Sequence, residues 1–193
     1  MWPLGHVAVA YLCYAGVRRA SGRTPAAAVA VVALLVGSQF PDLVDKPLAW
    51  YLGVLPTGRS LAHSLLVIGP LIGLAYLLAD RYGRPEYGIA AGVGAGSHLL
   101  ADVVPALWGA ADPAILVWPL LPLEPYPDGA PSIAGLLAES LGEPYFLAEF
   151  GLAAIAVVVW RREGYPGVEL PRRVAGRLRD QLVADERVSK RGD

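Results

Sequence analysis

Three histidines and a few carboxylates stand in an otherwise apolar chain, and some of them are spaced like metal ligands. "SHLLAD" sets His98 and Asp102 four residues apart, which places them on one face of any helix that holds them. An imidazole nitrogen and a carboxylate oxygen so placed can grip one ion. Both are ligands for Zn²⁺, at about 2.0 to 2.2 Å, and Mn²⁺ or Fe²⁺ suits the same sulfur-free donors. "RSLAHS" carries Arg59 and His63 at the same spacing, and we read it as the opening of a helix that stacks the two. "PDLVD" adds Asp42 and Asp45, and His6 stands near the amino terminus. The single cysteine, Cys13, excludes an internal disulfide framework and a cysteine-built zinc site.

Each residue also has an ordinary reading. His6 suits a membrane interface, Asp42 after Pro41 suits a turn cap, Asp45 could pair with Lys46, and His63 could bond a backbone carbonyl. Asp102 is harder to explain that way. An ionisable group inside a membrane segment costs up to roughly 3 kcal/mol on insertion scales, and such groups usually mark function.

Composition says what must position these residues. Of 193 residues, 55% are hydrophobic and only 17% charged. A soluble domain carries about 25% charge, so the expected class is an all-α integral membrane bundle. Five segments approach the roughly 20 apolar residues that a span needs: Leu4 to Val17, Pro25 to Phe40, Ser60 to Ala79, Glu86 to Leu107 and Pro144 to Trp160. Between the last two lies a Pro-rich outer excursion that cannot be a regular span; it could hold a short strand or a re-entrant piece covered by protein, and "PSIAGLLAESL" a short helix. Gly88, Gly92 and Gly96, at four-residue spacing, make a small-residue face for close helix packing.

Arg18, Arg19, Arg23, Arg81, Arg84, Arg161 and Arg162 fall on one side if the helices alternate. By the positive-inside rule that side is the cytoplasm, with an uncleaved first helix starting outside. His6, Asp42, Asp45, Arg59, His63, His98 and Asp102 then gather at the outer ends of four helices. Residues 1–160 form the membrane domain in this reading. Residues 161–193 form a basic cytoplasmic tail, where Val174, Leu178, Leu182 and Val183 are spaced for an amphipathic helix on the inner leaflet. The expected location is the plasma membrane, multi-pass, with no nucleic-acid partner.

An early His, "PDLVD", "RSLAHS", "HLLAD" and the Trp118–Pro119 step follow one another in the order of a known pattern. Over residues 4 to 120 the chain resembles the YdjM-type family of inner-membrane metal-dependent hydrolases. Gly58 stands where that family commonly has His, Ala62 and Gly5 where it has Thr, and the aspartates are one residue further apart. The family is in turn similar to zinc-dependent phospholipases C and P1-type nucleases. That resemblance implies a first metal held by Asp42, His63, His98 and Asp102. It implies a second ion helped by His6, with Asp102 bridging, and Asp45 as a further ligand or the base. The implied chemistry is phosphoester hydrolysis by a metal-activated water, with zinc foremost and one or two ions per chain. Asp45 would orient or deprotonate the water. Arg59 would meet a lipid head group or lipid-linked phosphate, and Trp108, Trp118 and Tyr126 would wall the site. Two other readings use the same residues: a metal or proton transporter, and a structural membrane protein with a stabilising ion. Glu149, inside the fifth segment, is not selected by any spacing.

Overall fold

A computed structural model describes residues 1–22, 26–126 and 131–170. Six α-helices make up the described chain: α1 (Pro3–Ala20), α2 (Ala28–Trp50), α3 (Leu65–Arg81), α4 (Pro85–Val103), α5 (Ile133–Ser140) and α6 (Pro144–Arg162). There is no strand among the described residues. Two 3-10 turns, Val104–Trp108 and Pro113–Val117, follow α4 and open the Pro-rich excursion, and α5 is the short helix expected within it.

Two helix boundaries differ from expectation, and both matter for chemistry. The second segment does not stop near Phe40. It runs on to Trp50 with Pro41 and Pro47 inside it. A proline within a helix removes one backbone hydrogen bond, and the apolar packing of this helix carries it past both. Asp42 and Asp45 therefore ride on α2 itself. The third helix does not start at Ser60. It starts at Leu65, because Ser64 acts as its N-cap and accepts a hydrogen bond from the Leu66 amide. Arg59 and His63 therefore do not stack on a helix; they lie in the bent segment 51–64.

The bundle centres on α4, which packs against α1, α2 and α3, while α6 lies against α1. Small residues make the α2–α4 crossing close. A Cβ at Gly37 would strike the Ala91 carbonyl oxygen, and one at Gly94 would strike that of Leu34. Gly88 and Gly92 do the same work on the other face, against Tyr76 and Ile72 of α3, whereas Gly96 faces open space. Ala8, Ala30, Leu34 and Ala90 are among the core residues so gathered.

Among the described residues, three helical stretches are long and apolar enough to cross a membrane: Ala28–Trp50, Pro85–Trp108 and Pro144–Arg162. The remaining two of the five expected segments form α1, with 18 residues, and α3, with 17. Leu71, Leu74 and Leu77 on α3 and Leu147, Phe150 and Ile155 on α6 are exposed, as side chains facing lipid would be. Arg18, Arg19, Arg81, Arg161 and Arg162 close the last turns of α1, α3 and α6. Residues 171–193, which include the expected amphipathic helix, lie outside the described residues.

Candidate metal centre

His6 starts α1, Asp42 and Asp45 sit in the second half of α2, and His63 lies just before α3. His98 and Asp102 fall in the last turns of α4. These positions share one end of the bundle, and all six side chains are buried.

Four of them converge. Asp42, His63, His98 and Asp102 each offer one ligand atom, and these atoms lie within 4.8 Å of one another. Nε2 of His63 and Nε2 of His98 are 3.1 Å apart. The other nitrogen of each ring is already engaged: His63 Nδ1 with Asp45 Oδ2 at 2.8 Å, and His98 Nδ1 with the Ser38 carbonyl at 2.6 Å. A ring nitrogen facing a carbonyl or carboxylate oxygen carries the hydrogen, so in the neutral ring Nε2 is the acceptor. Two lone pairs then point at each other, and only a cation between them makes that arrangement favourable. Nitrogens on a tetrahedral ion at about 2.0–2.1 Å lie roughly 3.3 Å apart, close to the spacing seen.

The carboxylates complete the set. Asp42 Oδ1 is 3.7 Å from Nε2 of both histidines, and it is buried with no hydrogen-bond partner among the described residues. Asp102 Oδ2 is 3.5 Å from His63 Nε2 and 3.9 Å from His98 Nε2. An orphaned anionic oxygen costs far more to bury than a paired one, and a metal ion at this point would satisfy it. Two imidazole nitrogens and two carboxylate oxygens fit Zn²⁺ and, with open positions, Mn²⁺ or Fe²⁺. In the absence of an ion, a proton can bridge the nitrogens. Burial opposes charge on His63, but the Asp102 and Asp45 carboxylates outweigh it, so its pKa stands above the ordinary imidazole value.

Asp45 serves this centre from behind. Its carboxylate accepts hydrogen bonds from the backbone amides of Ser60, Ala62 and His63, at 2.8, 2.8 and 3.3 Å, besides the His63 ring. One buried side chain thus folds the 51–64 segment and aims its histidine. Lys46, one turn after Asp42, pairs with Asp42 Oδ2 and not with Asp45. Arg59 donates through Nε to Asp102 Oδ2 at 2.7 Å.

His6 stands beside the four. Its ring stacks on that of His98 with centroids 3.6 Å apart, and its Nε2 is 3.4 Å from Asp102 Oδ1. The Met1 amino group is 2.7 Å from that same oxygen. Glu149 of α6 holds the first turn of α1 by accepting from the Trp2 amide at 3.0 and 3.1 Å. Gly5 makes room, since a Cβ there would lie 2.5 Å from Glu149 Oε2. Of the aromatic residues expected to wall the site, Tyr126 accepts from the Gly58 amide at 3.2 Å, and Trp108 lies edge-on to Tyr145. Sequence reasoning did not find the Lys46–Asp42 pair, although its i,i+4 spacing on a helix was the available signal. The Ser38 carbonyl and the role of Glu149 had no signal, because both depend on tertiary placement.

The family model described as YdjM inner membrane protein matches residues 1–164. No curated protein and no solved structure matches the chain. A match across most of the chain, over all the elements that carry the buried donor set, leads to one conclusion: this chain belongs to the YdjM inner membrane protein family.

Proposed function

We propose that this protein is a membrane-bound, metal-dependent hydrolase of phosphoester bonds, acting on a lipid head group or a lipid-linked phosphate at the extracytoplasmic face. The observation that carries the reading is the buried His63–His98–Asp42–Asp102 donor set with its unpartnered Asp42 oxygen. When bound there, a divalent ion, zinc foremost, acts as a Lewis acid and lowers the pKa of coordinated water. The rest belongs to the chain. Asp45 and the Ser38 carbonyl hold both imidazoles with Nε2 inward, as the outer partners of metal-bound histidines do. Asp45 has its oxygens committed to the 51–64 segment and His63, so it acts as a positioning residue. Asp102 links the donor set to Arg59 and His6. Arg59 has a planar fork suited to two phosphate oxygens.

Metal analysis of the detergent-purified protein tests this first. One or two transition-metal ions per chain are expected, and Asp42→Ala, His98→Ala and Asp102→Ala are expected to lose them. The loaded protein should then release phosphate or a phosphorylated head group from phospholipid substrates, and the three variants should not. A wild type that stays metal-free after incubation with zinc and manganese would sink the proposal.

A further inference from the structure

We infer that Lys46 and Arg59 form a two-cation clamp for phosphate oxygens, released for that task when the metal centre is filled. The inference rests on the hydrolase reading above and adds to it a second recognition residue and a condition for binding.

Each carboxylate of the donor set also faces a lysine or arginine side chain. Asp42 Oδ2 faces Lys46 Nζ, and Asp102 Oδ2 faces Arg59 Nε. The carboxylates are buried, but the Lys46 and Arg59 side chains are 25% and 43% exposed. The two cations therefore stand between the donor set and the outside. Among the described residues, no protein group hydrogen-bonds the terminal nitrogens of Arg59. The Lys46 ammonium lies 5.6 Å from the Trp50 ring centroid.

The 51–64 segment presses against this pair. A Cβ at Gly58, next to Arg59, would lie 3.2 Å from Lys46 Cγ and 3.0 Å from Trp50 Nε1. That indole nitrogen is itself a buried donor with no partner among the described residues. An unpartnered donor thus stands beside the two partly exposed cations, as an anion site needs.

Charge explains the condition. Without an ion, Asp42, Asp45 and Asp102 are matched by Lys46, Arg59 and the Met1 amino group. A divalent ion makes the cluster net positive and draws charge from Asp42 and Asp102, which weakens their hold on the two side-chain cations. Lys46 and the free arginine nitrogens can then each meet a non-bridging phosphate oxygen. Lysine does so as a point charge and arginine as a fork.

The test is binding by the full-length protein in detergent, loaded with zinc and cleared of excess metal. Glycerol 3-phosphate and dihexanoyl phosphatidic acid serve as soluble and lipid forms of the same anion, followed by calorimetry. The loaded wild type should bind at least one of them, and the stripped protein about tenfold or more weaker. Lys46→Gln and, separately, Arg59→Gln should each lose about tenfold or more in affinity, the scale of one charge-assisted hydrogen bond, with zinc content unchanged. Lys46→Arg should recover most of the loss. Tighter binding of the lipid form points to a membrane substrate and equal binding to a soluble one; either supports the clamp. Equal binding by stripped and loaded protein overturns it, as does a Lys46→Gln protein that binds like wild type or that loses zinc together with the anion. If the zinc-loaded wild type binds neither ligand, the clamp fails while the metal centre stands. If the wild type holds no zinc, the hydrolase reading fails and takes the clamp with it.

Discussion

Asp45 and Asp42 are three residues apart on one helix and have different tasks. Asp42 keeps an oxygen free for a ligand, whereas Asp45 spends its oxygens on three amides and one imidazole. Their variants should differ accordingly. Asp42→Asn should abolish metal binding, because it leaves an amide where the set needs an anion. Asp45→Asn should weaken metal affinity about 10- to 100-fold, the usual effect of losing an outer partner of a ligand histidine, without removing the site. Competition against a zinc chelator of known affinity separates the two. The ligand types and the His98–Asp102 pair were legible in the sequence, because a four-residue spacing on a helix is local geometry. The division of labour between the two aspartates was not, because Asp45 is defined by amides 15 to 18 positions away.

At the scale of elements, the buried donor set depends on how closely α2 and α4 approach. Gly37 and Gly94 set that distance, each lying against the backbone of the other helix. Gly94→Ala should cost about 1–3 kcal/mol, the usual penalty of overpacking, and should lower zinc occupancy by moving His98 from His63. Gly96→Ala, facing open space, should leave both unchanged. Thermal unfolding in detergent, followed by metal analysis, checks the pair. The glycine face was readable as a packing stripe, and two of its three members do pack on α3. Gly94, outside that stripe, serves α2, since the repeat of four follows one helix face and α4 has neighbours on several. The start of α3 was misplaced for a related reason. Apolar residues continue through "SLAHSLL", and only the capping hydroxyl of Ser64 marks where the helix begins.

Across the whole molecule, polar side chains collect at one end of the bundle and arginines close the other. By the positive-inside rule, this arginine bias predicts a metal centre outside the cytoplasm. In a Cys13→Ala background, Thr57→Cys should react with a membrane-impermeant maleimide in intact spheroplasts, and Tyr82→Cys should react only after lysis. The reverse pattern would put the chemistry on the cytoplasmic side. The carboxylate of Asp45 also has a consequence for the molecule's life in the cell. It ties down the 51–64 segment with protein groups alone, so the fold of that segment does not depend on a bound ion. Exchange of ions should then proceed without unfolding, and the metal found in a preparation will record what the surroundings last offered. A chelated sample should accept manganese in place of zinc, and return, with its unfolding transition intact at each stage.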